Sequence, residues 1–194
     1  MKWLLLFCFL IPFNLFAEIK NENHGSWITM TVIDDFTDEV FIQTKAYDIG
    51  DMFSFYIKNP NWGLSVELKM PLCKPSKPRE DNSIPIMFRI GKNEVITIPM
   101  KTLDPISFKV FIIDWEALKE TELTQLIIMS KLLPEMYRGE EKGETLKVRI
   151  KDEICNKTQD LKFSLDGFVE AYTPAANEFL KQMGSLEEYF LPKE

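Results

Sequence analysis

From Trp27 to Ile113 the chain is a succession of short runs rich in β-branched and aromatic residues, each closed by turn-forming residues. Such a pattern suits strands and leaves little room for a helical fold. Residues 27–32 and 40–44 flank the acidic link Asp34-Asp35-Phe36-Thr37-Asp38, which predicts a hairpin. Residues 52–57 form the next run and are closed by Asn59-Pro60-Asn61. Residues 64–70 alternate apolar with polar side chains, the period of a strand with one face on a core. Residues 84–90 and 94–100 predict a second hairpin across Gly91-Lys92-Asn93, and 106–113 is a further apolar run.

Beyond this point the period changes. Leu118, Leu126, Ile127, Met129 and Leu133 recur at mostly helical spacings. They predict a helix from Trp115 to about Lys131, with Asp114 as its cap and Pro134 limiting or kinking it. Residues 135–144 are charged, hold two glycines and read as a solvated link. Residues 145–151 and 160–164 predict a last hairpin around Cys155-Asn156-Lys157. Phe168, Ala171, Tyr172, Ala175, Phe179 and Met183 then share one stripe of a C-terminal helix over 167–183. Pro174 within it predicts a bend, or a helix that starts near Thr173. About eight strands and two late helices make an α+β fold, a mainly antiparallel β-sandwich or partial barrel with one mid-chain and one C-terminal helix.

The N-terminus bears on the compartment. Met1-Lys2 is a short positive segment, residues 3–16 are almost wholly apolar, and Ala17 is the small residue a signal peptidase needs. A spanning helix wants about 20 apolar residues, more than this run supplies. The expectation is a signal peptide over 1–17, cut after Ala17, and a periplasmic or secreted protein. Residues 18–25, polar and without period, read as a flexible tail before a single β-rich domain over 26–194. The net charge of −7, with no basic block, argues against nucleic acid as a partner. A protein or another envelope component is the expected partner, with no membrane span once the leader is gone. Cys73 and Cys155, the two cysteines outside the leader, predict one disulfide in an oxidising compartment. It would tie the loop 71–83, with its three prolines, to the last hairpin.

Catalytic machinery is hard to find. General acid–base and nucleophilic catalysis most often recruit histidine, and the one histidine, His24, falls in the expected tail. Neither a nucleophile elbow nor a zinc-protease, P-loop or dinucleotide motif is present. Asp34, Asp35, Asp38 and Glu39 cluster, but without the glycine that a calcium-binding EF-hand loop requires, so an acidic turn in solvent is the expectation. No catalytic residue, metal ligand or cofactor is therefore assigned. Trp62, beside Pro60 and Gly63, is the candidate recognition residue of an exposed loop.

The C-terminal third carries a family likeness. Residues 128–133, a charged link with glycine, residues 144–150, and Phe163-Ser164-Leu165-Asp166-Gly167-Phe168-Val169-Glu170-Ala171 follow one another in order. This order resembles the end of exported proteins of the invasion-associated locus B type and of a similar group of type VI secretion-associated proteins. The chain departs from them in having no cysteine after the opening tryptophan strand. The resemblance implies a small β-rich bacterial envelope protein without catalytic residues. The functional expectation is an exported periplasmic binding or accessory protein. The alternatives are a carboxylate-based hydrolase of a wall or glycan substrate and an inhibitor of a foreign enzyme. Acids converging in a cleft would favour the hydrolase, and a rigid protruding loop the inhibitor.

Overall fold

The computed structural model describes residues 17–35, 37–58, 61–72, 83–103, 109–113, 128–152 and 156–190. Ten strands form one antiparallel sheet: β1 (Ala17–His24), β2 (Trp27–Asp34), β3 (Val40–Asp48), β4 (Asp51–Lys58), β5 (Asn61–Glu67), β6 (Ser83–Ile90), β7 (Ile96–Thr102), β8 (Val110–Ile113), β9 (Thr145–Asp152) and β10 (Lys157–Ser164). Their order is β1-β2-β3-β4-β5-β8-β7-β6-β9-β10, and the two end strands do not pair, so the sheet is not closed. A π-helical turn (Ile128–Leu132) leads into helix α1 (Leu133–Glu141), and helix α2 (Phe168–Phe190) ends the fold. The α+β reading with a mid-chain and a C-terminal helix holds.

Alternation along the strands builds the core. Phe53, Phe55 and Ile57 on β4 are buried with Leu64 and Val66 on β5, while Ile86, Phe88 and Ile90 on β6 meet Val148 and Ile150 on β9. The sheet curls enough for distant strands to touch. The Phe53 ring lies 5.7 Å from Phe163 on β10, the far end of the strand order, and 6.1 Å from Phe88. The Trp27 indole N–H, on β2, donates to the Ser164 carbonyl of β10 at 2.8 Å. Helix α2 covers the open side with Phe168, Ala171, Tyr172 and Ala175, all buried.

Several expectations change. Residues 18–24 are not a flexible tail but part of β1, paired with β2 from Ala17↔Asp34 to His24↔Trp27. Its polarity suits an edge strand. Glu18, Lys20, Glu22 and His24 share the face of Trp27 and Thr29, and charges on the inward row of an edge discourage stray pairing. Pro134 does not stop the helical path: the π-helical turn runs straight into α1, Leu132 is already in the right-handed helical region, and the distortion a proline brings falls at the junction of the two segments. The expected solvated link is therefore helical up to Glu141, with Met136 and Gly139 turned to the core. Helix α2 starts at Phe168 rather than near Thr173 and contains Pro174. Asp114, Trp115, Leu118, Leu126 and Ile127 lie outside the described residues.

Candidate functional site

The site builds from the β3–β4 hairpin. Asp48 and Asp51 are the last pair of the ladder, so the turn between them is only Ile49-Gly50. Both turn residues have positive φ, 49° at Ile49 and 96° at Gly50. A two-residue turn that follows the right-handed strand twist demands this, and it normally recruits Asn, Asp or Gly. Gly50 adopts it freely. Ile49 does not, because a β-branched residue there crowds its own backbone at about 1–2 kcal/mol.

The strained turn is held from both shoulders. The Lys69 N–H donates to the Asp51 carboxylate (2.7 Å), and the Lys162 N–H of β10 donates to the Asp48 carboxylate (3.0 Å). The Lys69 stem lies so close to Gly50 that a Cβ there would stand 2.9 Å from its Cδ. Ile49 at the apex is 86% exposed, with Met70 at 74% and Tyr47 at 51%. Single exposed hydrophobic residues are ordinary, but three around a strained, fixed turn are not. Lys45 places its ammonium 6.0 Å from the centre of the Tyr47 ring. Among the described residues, Lys45, Lys69 and Lys162 have no ion-pair partner.

Carboxylates elsewhere serve the fold. Glu140 accepts the N–H groups of Gly167 and Val169 at 2.7 Å each, capping the start of α2. Glu135 receives the Arg138 guanidinium (2.6 Å) and the Asn93 amide, fastening α1 to the β6–β7 turn. Arg149 grips Asp160 through two bonds of 2.6 and 2.7 Å, and this guanidinium holds the Asp160 carboxyl below the usual range. Burial raises the Tyr172 phenol far above its ordinary value, and Tyr137 beside it adds to the shift.

Trp62, His24 and the acidic turn, singled out from sequence, lie away from the tip. Trp62 is not in a loop: it occupies β5 opposite Ile57, and its side chain lies outside the described residues. Cys73 and Cys155 also lie outside them. The neighbours of the two cysteines are a buried Leu72 and Asn156, whose φ of 47° turns the last hairpin. His24 ends β1 and places Nδ1 3.5 Å from Glu170. In the acidic turn, Asp34 accepts the Thr37 N–H with its carboxylate (3.2 Å) and the Asp38 N–H with its carbonyl (2.8 Å). Ile49 was missed, although Asp48-Ile49-Gly50-Asp51 between two β-rich runs is a readable two-residue hairpin signal. Among the described residues no group of three or more His, Cys, Asp or Glu could hold a metal ion, and no helix is long and apolar enough to cross a membrane. Comparison with protein-family models, curated proteins and solved structures finds no match for the chain.

Proposed function

We propose that the chain is an exported binding or accessory protein of the bacterial envelope, without a catalytic role, that docks through the tip of the β3–β4 hairpin. The observation that carries the docking is Ile49: a β-branched residue held in the left-handed region while 86% exposed. At 86% exposure an isoleucine there adds little to the core of the described residues, and strain kept at an exposed apex points to a use outside the molecule. The apolar leader supports export, and a cut after Ala17 would leave Glu18 to His24 on their β2 partners. The resemblance of the C-terminal third to exported envelope proteins supports the same class. N-terminal sequencing of the exported protein is expected to begin at Glu18, and a start at Met1 would sink the export reading.

Docking is tested by placing a photoreactive phenylalanine at position 49 in living cells and analysing what it captures. The expected result is an adduct that forms from position 49 and not from Val95, an exposed apolar residue elsewhere. The fixed shoulders of the hairpin also suit an inhibitor that fills the cleft of a foreign enzyme. Capture of such an enzyme from another organism, with loss of its activity, would favour that second reading.

A further inference from the structure

We infer that the surface met by the hairpin tip is an anionic lipid bilayer, into whose headgroup layer Ile49 and Met70 insert. The inference rests on the docking role proposed for the tip and names its partner. Three features converge on it. The apex is apolar and exposed, and Tyr47 beside it has the amphipathic ring that favours a membrane–water interface. Three lysines flank the apex: Lys45 beside the Tyr47 ring, Lys69 with its stem against Gly50, and Lys162, whose backbone N–H bonds Asp48. Their long stems allow the ammonium groups to stay at headgroup level while the apex goes deeper.

Charge is the second strand of the argument. The chain as a whole carries −7, yet around the tip Lys45, Lys69, Lys109 and Lys162 stand against Asp48, Asp51 and Glu67; Glu67 pairs with Lys109 at 3.3 Å, and the two aspartates turn back onto backbone N–H groups. An anionic surface would therefore attract the tip and repel the rest, presenting the molecule in one orientation. Size is the third. A specific protein interface buries roughly 1,200–2,000 Å² in total, more than three apolar side chains around a two-residue turn can cover. A bilayer has no such minimum, and reversible attachment by a few side chains plus basic residues is its ordinary mode. The fixed shoulders add to this, since a tip already ordered loses little freedom on insertion.

Vesicle flotation tests the inference with the exported protein. Vesicles of phosphatidylethanolamine with phosphatidylglycerol are compared with vesicles of phosphatidylcholine alone. Flotation is expected with the anionic vesicles only, weakening as salt is raised. Ile49→Asn should weaken it by about tenfold or more, as loss of part of one aliphatic side chain's burial implies. Replacing Lys45 and Lys69 with Glu together should abolish it, and Val95→Asn should leave it unchanged. Equal flotation on both vesicles, or an Ile49→Asn variant that floats like wild type, overturns the inference. Absence of flotation also overturns it, and photocapture at position 49 then decides the rest. A protein adduct keeps the docking reading and discards the lipid; no adduct discards both.

Discussion

Thr29 and Thr44 face each other across β2 and β3, and both hydroxyls donate to one acceptor, the carbonyl of Ala171 in α2, at 2.7 and 2.9 Å. A proline lies three residues on. Pro174 has no N–H for the Glu170 carbonyl, and its ring crowds that turn of the helix. The next carbonyl, that of Ala171, faces the sheet and takes both threonines. The helix is tied to the strands at Ala171, in the turn that precedes a proline which weakens it.

Replacing either threonine with valine removes one donor while roughly keeping volume, and should cost about 0.5–1.5 kcal/mol. Because the acceptor is shared, the first substitution is partly covered by the remaining hydroxyl. The double variant should therefore lose about 0.5 kcal/mol or more beyond the sum of the singles. Urea unfolding of all four proteins measures this, and strict additivity would contradict a shared role.

How much of this was legible follows from what each pattern can encode. Alternation on β6 and β9 was readable because one face of each is buried, as in Ile86 and Phe88, and on β4 and β5 the polar Ser54 and Ser65 keep the pattern although they are buried as well. β1 was not, because an edge strand gains its order from backbone pairing and here carries charges where period would be sought. Pro134 left two outcomes open, a stop or a distortion, and the helical path takes the second, with a π-helical turn just before the proline. The buried stripe of α2 was readable in Phe168, Ala171, Tyr172 and Ala175, but the threonines that complete it come from distant strands. Ile49 was overlooked because an isoleucine gives no warning of a left-handed backbone. Only the pairing of Asp48 with Asp51 forces it.

The stripe is not uniform in weight. Phe168 is fully buried, with ring centres of Trp27 at 5.0 Å, Tyr137 and Tyr172 at 5.5 Å, and Phe55 at 6.0 Å. Phe179 is only partly buried at the edge of the same core. Phe168→Ala should cost about 3–5 kcal/mol and lower Tm by on the order of 10 °C. Phe179→Ala should cost clearly less. Thermal melts of equal depth would show that the C-terminal half of α2 is docked as firmly as its start.

Gly167 links the two ends of the domain. Its φ is 84°, and a Cβ there would run into the His24 carbonyl while the Ser26 N–H bonds the Asp166 carbonyl at 2.9 Å. Gly143 also has positive φ, at 64°, but a Cβ there would meet nothing within 4 Å. Gly143→Ala should therefore cost about 1 kcal/mol, the conformational penalty alone. Gly167→Ala should exceed it by about 1 kcal/mol or more, because the obstacle is backbone and β1 must shift to make room. Equal losses would mean that the β1–β2 turn yields freely.

The Arg149–Asp160 pair supplies a pH signature. Hydrogen bonding and then charge from Arg149 hold the Asp160 carboxyl below its ordinary value. A carboxyl depressed in the folded state adds stability above its unfolded pKa, and that increment is lost as pH falls through the folded one. Both side chains are more than half exposed, so solvent screening keeps the increment small. In an NMR titration, Arg149→Met should return the Asp160 midpoint upward to the ordinary carboxylate range. An unchanged midpoint would mean that the pair does not persist in solution.

Ile49→Asn should separate stability from docking. In the left-handed region asparagine is several-fold favoured over a β-branched residue, so relief of the backbone should stabilise the fold by about 1 kcal/mol. Little opposes this gain, because Ile49 is 86% exposed and has almost no buried apolar surface to lose. Tm should rise by about 2–4 °C for a chain of this size. The same variant should lose capture from the hairpin tip, read with the photoreactive group moved to Met70. A gain in stability together with loss of docking would show that the isoleucine is kept at the expense of the fold for what it meets outside. A destabilised variant would mean that Ile49 packs against something inside the molecule, and the docking site would lose its main support.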